Sequence, residues 1–385
     1  MKIAMIGQKG IPAIYGGIER HVEELVVRLA GCGEQVFVYT RPYYTAKKQK
    51  TFQGVNLISL PTIKTKHLDA ITHTLFATIH ALFQNYDIIH YHGVGPSLLC
   101  FIPRIFNPKA KVIVTFHCID RQHQKWGRFA KLMLWLGERM ACKFSHQVIT
   151  VSRTLQNYCY EVFGRGTAYI PNGIKLVSNI KPSLITTKFD LKGQDYILTV
   201  ARLIPHKGIQ YLISAYQKIK TEKKLVIVGD SSFTDKYVKK LKHLASGNTN
   251  IIFAGYQSGQ MLEELFSNAY VYVHASESEG LPIAVLEAAS YGLPIIASNI
   301  PANMEIVQSW GLSFENKNVN ELKEKLEYIL KNPEEADKIG KDGRKYVLEN
   351  YNWDDIIIET KNLYYKLTNL EICEDEASSL QEAEL

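Results

Sequence analysis

The 385-residue sequence contains no Cys-x-x-Cys, no Gly-x-Gly-x-x-Gly, no Gly-x-Ser-x-Gly and no Asp-x-Asp. The first absence argues against a zinc or thiol-redox framework. The second excludes the usual dinucleotide fingerprint, the third a nucleophile elbow. Without Asp-x-Asp, a divalent metal clamped on a diphosphate has no obvious anchor. Glu277-x-Glu279 is the nearest acidic pair, and it reads as part of a Glu-rich loop. No apolar run approaches the ~18 residues of a spanning helix. The opening MKIAMIGQKG turns polar too soon for a secretory signal. Six scattered cysteines (Cys32, Cys100, Cys118, Cys142, Cys159, Cys373) fit reduced, buried thiols and a cytoplasmic setting.

The apolar share is 46% and the charged share 22%, so a disordered or fibrous chain is excluded. The net charge of +7 is unevenly spread. Residues 1–170 carry +12, residues 171–370 carry +1, and the last fifteen residues carry −6. A basic first half suits phosphorylated substrates, nucleic acid or anionic lipid.

Short apolar runs alternate with amphipathic stretches in both halves, the pattern of βαβ units and parallel sheets. The first half offers strands at Lys2–Ile6, Gln35–Tyr39, Ile88–Tyr91, Val112–Phe116 and Gln147–Val151. The second offers Tyr196–Val200, Lys224–Val228, Ile251–Phe253, Tyr270–His274 and Pro294–Ala297. Helices fall between them, as at Glu19–Leu29 and Ile209–Lys220. The expected class is α/β, with one doubly wound, Rossmann-like sheet in each half. The turn Pro171-Asn172-Gly173 marks a boundary. This places a first domain at 1–170, a second at 171–350, a helix at 351–370 and an acidic, disordered tail at 371–385. Trp353, Ile356, Ile357, Leu363 and Tyr364 give that helix an apolar stripe.

In doubly wound folds ligands bind beyond the carboxyl ends of strands, often at helix N-termini. Four strand-to-helix turns are therefore candidates. Gly7-Gln8-Lys9-Gly10 leads to Tyr15-Gly16-Gly17, either a tight turn or an anion site at a helix start. Arg202 and Lys207, in ARLIPHKG, are a phosphate-binding pair or a solvated basic loop. Glu279, Gly280 and Leu281 precede a helix in which Glu287 stands among Ala and Leu. A carboxylate there needs polar partners, and sugar hydroxyls are suitable ones. His117 follows a strand and could hydrogen-bond a reacting group or be structural. His90 and His92 lack an evident third ligand and read as structural.

Together these blocks resemble the retaining group 1, or family 4, glycosyltransferases over Met1 to about residue 368. SESEGLPIAVLEAASYGLPIIAS matches the family's block of two glutamates eight positions apart, Glu279 and Glu287. ARLIPHKG resembles its phosphate segment and GQKGIPAIYGGIERHVEEL its Gly-rich opening. FHCIDRQHQKWGRFAKL is similar to bacterial polysaccharide transferases, several of rhamnosyl or mannosyl type. The resemblance departs at Lys175, where the family often has Asp, and at Ile300–Glu305, where Gly-Gly-x-Pro-Glu is usual.

The resemblance implies a GT-B fold: two Rossmann-like domains with sheets facing across a cleft and a C-terminal helix crossing back to the first. It implies that Arg202 and Lys207 bind the donor diphosphate, Glu287 the ribose hydroxyls and Glu279 the transferred sugar. Gly280 and Leu281 join the donor site. Gly16 and Gly17 approach the diphosphate, and His117 lies near the anomeric carbon. His117, Arg202, Lys207 and Glu279 are the expected catalytic group, with no metal and no other cofactor.

The expected reaction is transfer from a nucleoside-diphosphate sugar to a glycan or lipid-linked acceptor in bacterial surface polysaccharide assembly, with retention. Leaving-phosphate assistance is favoured over a glycosyl-enzyme, since no nucleophile stands out. Residues 125–143 mix Trp126, Arg128, Lys131, Trp135 and Arg139 with apolar residues. They suggest peripheral contact with the inner face of a membrane, or a core helix with snorkelling cations. Nucleic acid is not an expected partner. The alternatives are a sugar-nucleotide epimerase of the same fold and a non-catalytic nucleotide-sugar-binding protein.

Overall fold

The computed structural model describes residues 1–370 apart from 47, 66–67, 123–125 and 232–233. The acidic segment 371–385, expected to be disordered, lies outside the described residues, as does Lys125. The chain divides into two compact units, Met1–Pro171 with Trp353 onward, and Asn172–Asn352.

The strands of the first unit are β1 (Lys2–Ile6), β2 (Gln35–Thr40), β3 (Thr51–Phe52), β4 (Val55–Ser59), β5 (Ile88–His92), β6 (Lys111–Phe116), β7 (Gln147–Thr150) and β8 (Ala168–Tyr169). Its helices are α1 (Gly17–Gly31), α2 (Asp69–Leu82), α3 (Phe101–Phe106), α4 (Arg128–Phe144) and α5 (Arg153–Phe163). The sheet order is β3-β4-β2-β1-β5-β6-β7-β8. Only the β3–β4 pair is antiparallel. Helices cover both faces of such a sheet, so central strands are buried on both sides, and every residue of β5, His90 and His92 included, is buried.

The second unit holds α6 (Leu184–Phe189), β9 (Tyr196–Val200), α7 (Ile209–Tyr216), β10 (Lys224–Val228), α8 (Asp235–Leu244), β11 (Ile251–Gly255), α9 (Gly259–Ser267), β12 (Val271–His274) and α10 (Ile283–Ser290). It continues with β13 (Ile295–Ser298), α11 (Pro301–Val307), β14 (Leu312–Phe314), α12 (Val319–Lys331) and α13 (Pro333–Asn350). Its sheet is parallel, in the order β11-β10-β9-β12-β13-β14. The chain direction of winding reverses beside β1 in the first sheet and beside β9 in the second. Ligands bind at such switch points, beyond the strand ends.

The last described helix, α14 (Trp353–Thr368), belongs to the first unit. Trp353, Ile356, Ile357 and Tyr364 recur at helical spacing and enter a core with Ile3, Met5, Val22, Leu25 and Val38. Leu363 packs at its margin. Tyr364 reaches across the core to donate to, or accept from, His90 Nδ1 at 2.7 Å.

Candidate functional site

In the first unit, the switch point brings together the turns after β1, β5 and β6. The turn after β1 is tied down from three sides. The Glu19 carboxylate accepts from the Lys9 amide at 3.1 Å, and the Glu23 carboxylate accepts from the Ala13 amide. The Tyr44 hydroxyl accepts from the amides of Ile14 and Tyr15 at 2.8 and 2.9 Å and donates to the Tyr15 carbonyl at 2.8 Å. Gly16 caps α1 with φ +109°, and a side chain there would collide with Glu19. Gly17 is the first residue of α1. The sequence leaves a tight turn and an anion site open at this helix start. The structure places a carboxylate there, Glu19, where the helix dipole favours negative charge.

His117 follows β6 and is buried. Its Nε2 lies 3.2 Å from His92 Nδ1, and His92 Nε2 lies 3.4 Å from Met5 Sδ. A thioether can only accept, so His92 Nε2 carries the proton and His92 Nδ1 accepts. His117 then donates from Nε2 and keeps a lone pair on Nδ1. Burial, reinforced by neighbouring imidazoles, holds both rings well below the usual histidine range, so both are neutral at pH 7. His90 stacks on His92 with centroids 4.2 Å apart and is hydrogen-bonded at both nitrogens, to Tyr364 and Thr115. The absence of a third candidate ligand, expected from sequence, is corrected here. His21, on the buried face of α1, joins His92 and His117, with one ligand atom from each within 4.8 Å of the others.

In the second unit the corresponding turns follow β9 and β12. Arg202 is exposed, and its side chain has no hydrogen bond or ion pair among the described residues. Lys207 ends a short 3₁₀ turn, and Gly208 follows at φ +69° as the cap of α7. A Cβ on Gly208 would overlap the Ala275 carbonyl, so glycine lets these two turns touch. The Glu277 amide donates to the His206 carbonyl at 2.7 Å across the same seam.

That contact sets Lys207 against Glu279. Lys207 Nζ pairs with Glu279 Oε1, and His274 Nε2 donates to the same oxygen at 3.0 Å. Burial alone would raise the Glu279 pKa, but the Lys207 ammonium and the His274 N–H together hold it well below the carboxylate range. Burial lowers His274, so its bond to Glu279 is a neutral imidazole N–H to a carboxylate. Gly280 and Leu281 are buried, and the Leu281 carbonyl accepts from Asn172 at 3.4 Å. Glu287 is half-buried on α10. The Tyr272 hydroxyl is driven up first by burial and then by the charges of Glu287 and Glu279, which places both carboxylates in its neighbourhood.

Sequence reasoning missed His21, His274 and Glu19. It also missed the partners of Glu277, which are Tyr211 at 2.8 Å and Lys317 at 3.0 Å. His274 is the last residue of β12, where the preceding apolar run hides it. The pattern of Glycosyltransferase Family 4 matches residues 15–177, and that of Glycosyl transferases group 1 matches residues 185–346. The chain belongs to the family 4, or group 1, glycosyltransferases. It is thus a glycosyltransferase with the GT-B fold.

This glycosyltransferase is 29% identical to an uncharacterized glycosyltransferase of Methanocaldococcus jannaschii, over 94% of this chain and 98% of that one. It is 26% identical to the O-antigen biosynthesis glycosyltransferase WclY of Escherichia coli, over 65% and 71%. Its fold is similar to Anabaena HepE in complex with UDP-glucose, with TM-score 0.79, 18% identity, and coverage of 95% and 100%. No described helix is long and apolar enough to cross a membrane.

Proposed function

We propose that this glycosyltransferase moves a sugar from a nucleoside-diphosphate donor to a lipid-linked or glycan acceptor, with retention, in surface polysaccharide assembly. The observation that carries the reading is the Lys207–Glu279–His274 cluster at the switch point of the second sheet, with the exposed Arg202 in the same turn after β9 as Lys207. Arg202 and Lys207 take the charge that develops on the leaving diphosphate. Glu287 accepts from the ribose hydroxyls and Glu279 from the transferred sugar, with Gly280 and Leu281 shaping the pocket. The His117 Nδ1 lone pair accepts from a sugar hydroxyl. The acceptor oxygen attacks on the face that the diphosphate leaves, and its proton passes to a phosphate oxygen. No metal is required in this reading. The UDP-glucose bound by HepE and the O-antigen role of WclY support the donor and pathway classes.

The acceptor class rests on a surface of the first unit. Phe83, Phe106 and Phe129 are 81%, 71% and 75% exposed, too many large aromatics in neighbouring helices α2, α3 and α4 for an ordinary solvent face. Leu75, Phe76, Ile79, Ile105 and Leu132 add to it. Arg104, Arg128, Lys131, Arg139 and Lys143 are exposed on α3 and α4. A groove of about 380 Å³ lies between Phe101, Leu136, Arg139, Met140, Lys143 and Phe144. The core-facing side of α4 is only Gly137, Glu138, Ala141 and Cys142. Its apolar and basic side therefore faces out, as in helices that lie on anionic bilayers.

The test is a thermal-shift panel with UDP-, GDP-, dTDP- and ADP-sugars, followed by product NMR of the new anomeric centre. One responding nucleotide class and retained configuration are expected. An inverted product, or an epimerised sugar with free nucleotide, overturns the reading.

A further inference from the structure

We propose that His21, His92 and His117 form a binding site for a divalent transition-metal ion of the zinc class. The three imidazoles come from three elements: α1, the end of β5, and the residue after β6. Each offers one nitrogen within 4.8 Å of the other two, and all three are buried. The 3.2 Å between His92 Nδ1 and His117 Nε2 is close to the tetrahedral edge of about 3.3–3.4 Å that Zn–N bonds of ~2.0–2.1 Å require.

The surroundings match what a metal-bound histidine uses. Such a ring presents one nitrogen to the ion and donates its other N–H to a partner that fixes its orientation. His92 presents Nδ1 and donates from Nε2 to the Met5 thioether. Its ring is further held by stacking on His90, itself pinned by Thr115 and Tyr364. Three imidazoles leave a fourth position for water or a ligand. Nitrogen donors favour Zn²⁺, Co²⁺ and Ni²⁺ over Mg²⁺.

Metal binding is read without any sugar substrate, so it stands or falls separately from the transfer reading. The full chain, stripped with a chelator and dialysed, is titrated with Zn²⁺ against a chromogenic competitor, and with Co²⁺ by visible absorption. One equivalent of Zn²⁺, a low-coordinate Co²⁺ spectrum and no response to Mg²⁺ are expected. His21→Asn and His92→Asn, confirmed folded by circular dichroism, should each lose at least about tenfold in affinity. His243→Asn, an exposed histidine of the second unit, should not. A wild type that takes up no Zn²⁺, or affinity unchanged in both cluster variants, overturns the proposal. If the variants do not fold, X-ray absorption on Zn²⁺-loaded wild type decides. Three imidazole nitrogens support the site, and fewer refute it.

Discussion

Replacing Gly208 with alanine tests whether the contact between the β9 and β12 turns builds the Lys207–Glu279 pair. Gly208 has φ +69°, and Gly255, in the same unit, has φ +70°. Both substitutions therefore carry the same left-handed penalty, ~1–2 kcal/mol. The spaces differ. A Cβ at Gly255 meets nothing within 4 Å, whereas one at Gly208 lies 2.7 Å from the Ala275 carbonyl carbon and overlaps its oxygen. Ala275 must retreat, and the 2.7 Å bond from Glu277 to His206 stretches with it. Losing a bond among buried neighbours costs about 1–3 kcal/mol more. Urea unfolding should place Gly208→Ala about 1–3 kcal/mol below Gly255→Ala. Trp310 reports on this unit, because the other three tryptophans lie in the first. Donor affinity should fall only in Gly208→Ala, as Lys207 leaves Glu279. Equal costs in the two variants would refute the reasoning.

Arg202→Ala should lower turnover by ~10²–10³-fold with stability unchanged, because the side chain is exposed and stabilises charge only as it develops; near-normal initial rates would remove it from the phosphate site. Acid stability should be set by histidine. His73 and His90 are pushed by burial to about 4 and about 3, and His92 and His117 well below 6.5. The unfolded chain takes up their protons first, so stability is fully present above about pH 6.5. It declines below that, by ~1.4 kcal/mol per pH unit for each ring, until pH reaches the folded value. A flat stability profile between pH 6.5 and 5 would contradict this. Phe129→Glu on the outer face of α4 should reduce co-sedimentation with anionic vesicles at low salt; unchanged binding would move the membrane surface elsewhere.

Most of the strands were legible because each is a largely apolar run of four to six residues closed by a turn. The β3–β4 hairpin was not. Its two-residue loop, Gln53-Gly54, has φ of +45° and +82°, a turn that Asn-Gly usually announces and Gln-Gly does not. β14 was hidden by its length of three residues. Glu279 and Glu287 were visible because two carboxylates in an apolar helix start stand out. Their neighbour His274 and the third histidine, His21, become site residues only through sheet order and helix packing. His21 is separated by 71 positions from His92, and no local period connects them.

The face that carries Phe129 and Lys131 is not mechanically independent of the histidines. At Gly137, α4 rests with bare backbone on the turn that leaves His92. A Cβ there would meet the Val94 carbonyl, whose carbon would lie 3.2 Å away. With no side chain between them, the joint has nothing to compress. Any approach of α4 to the sheet at this point meets the Val94 carbonyl, one residue past Gly93, directly.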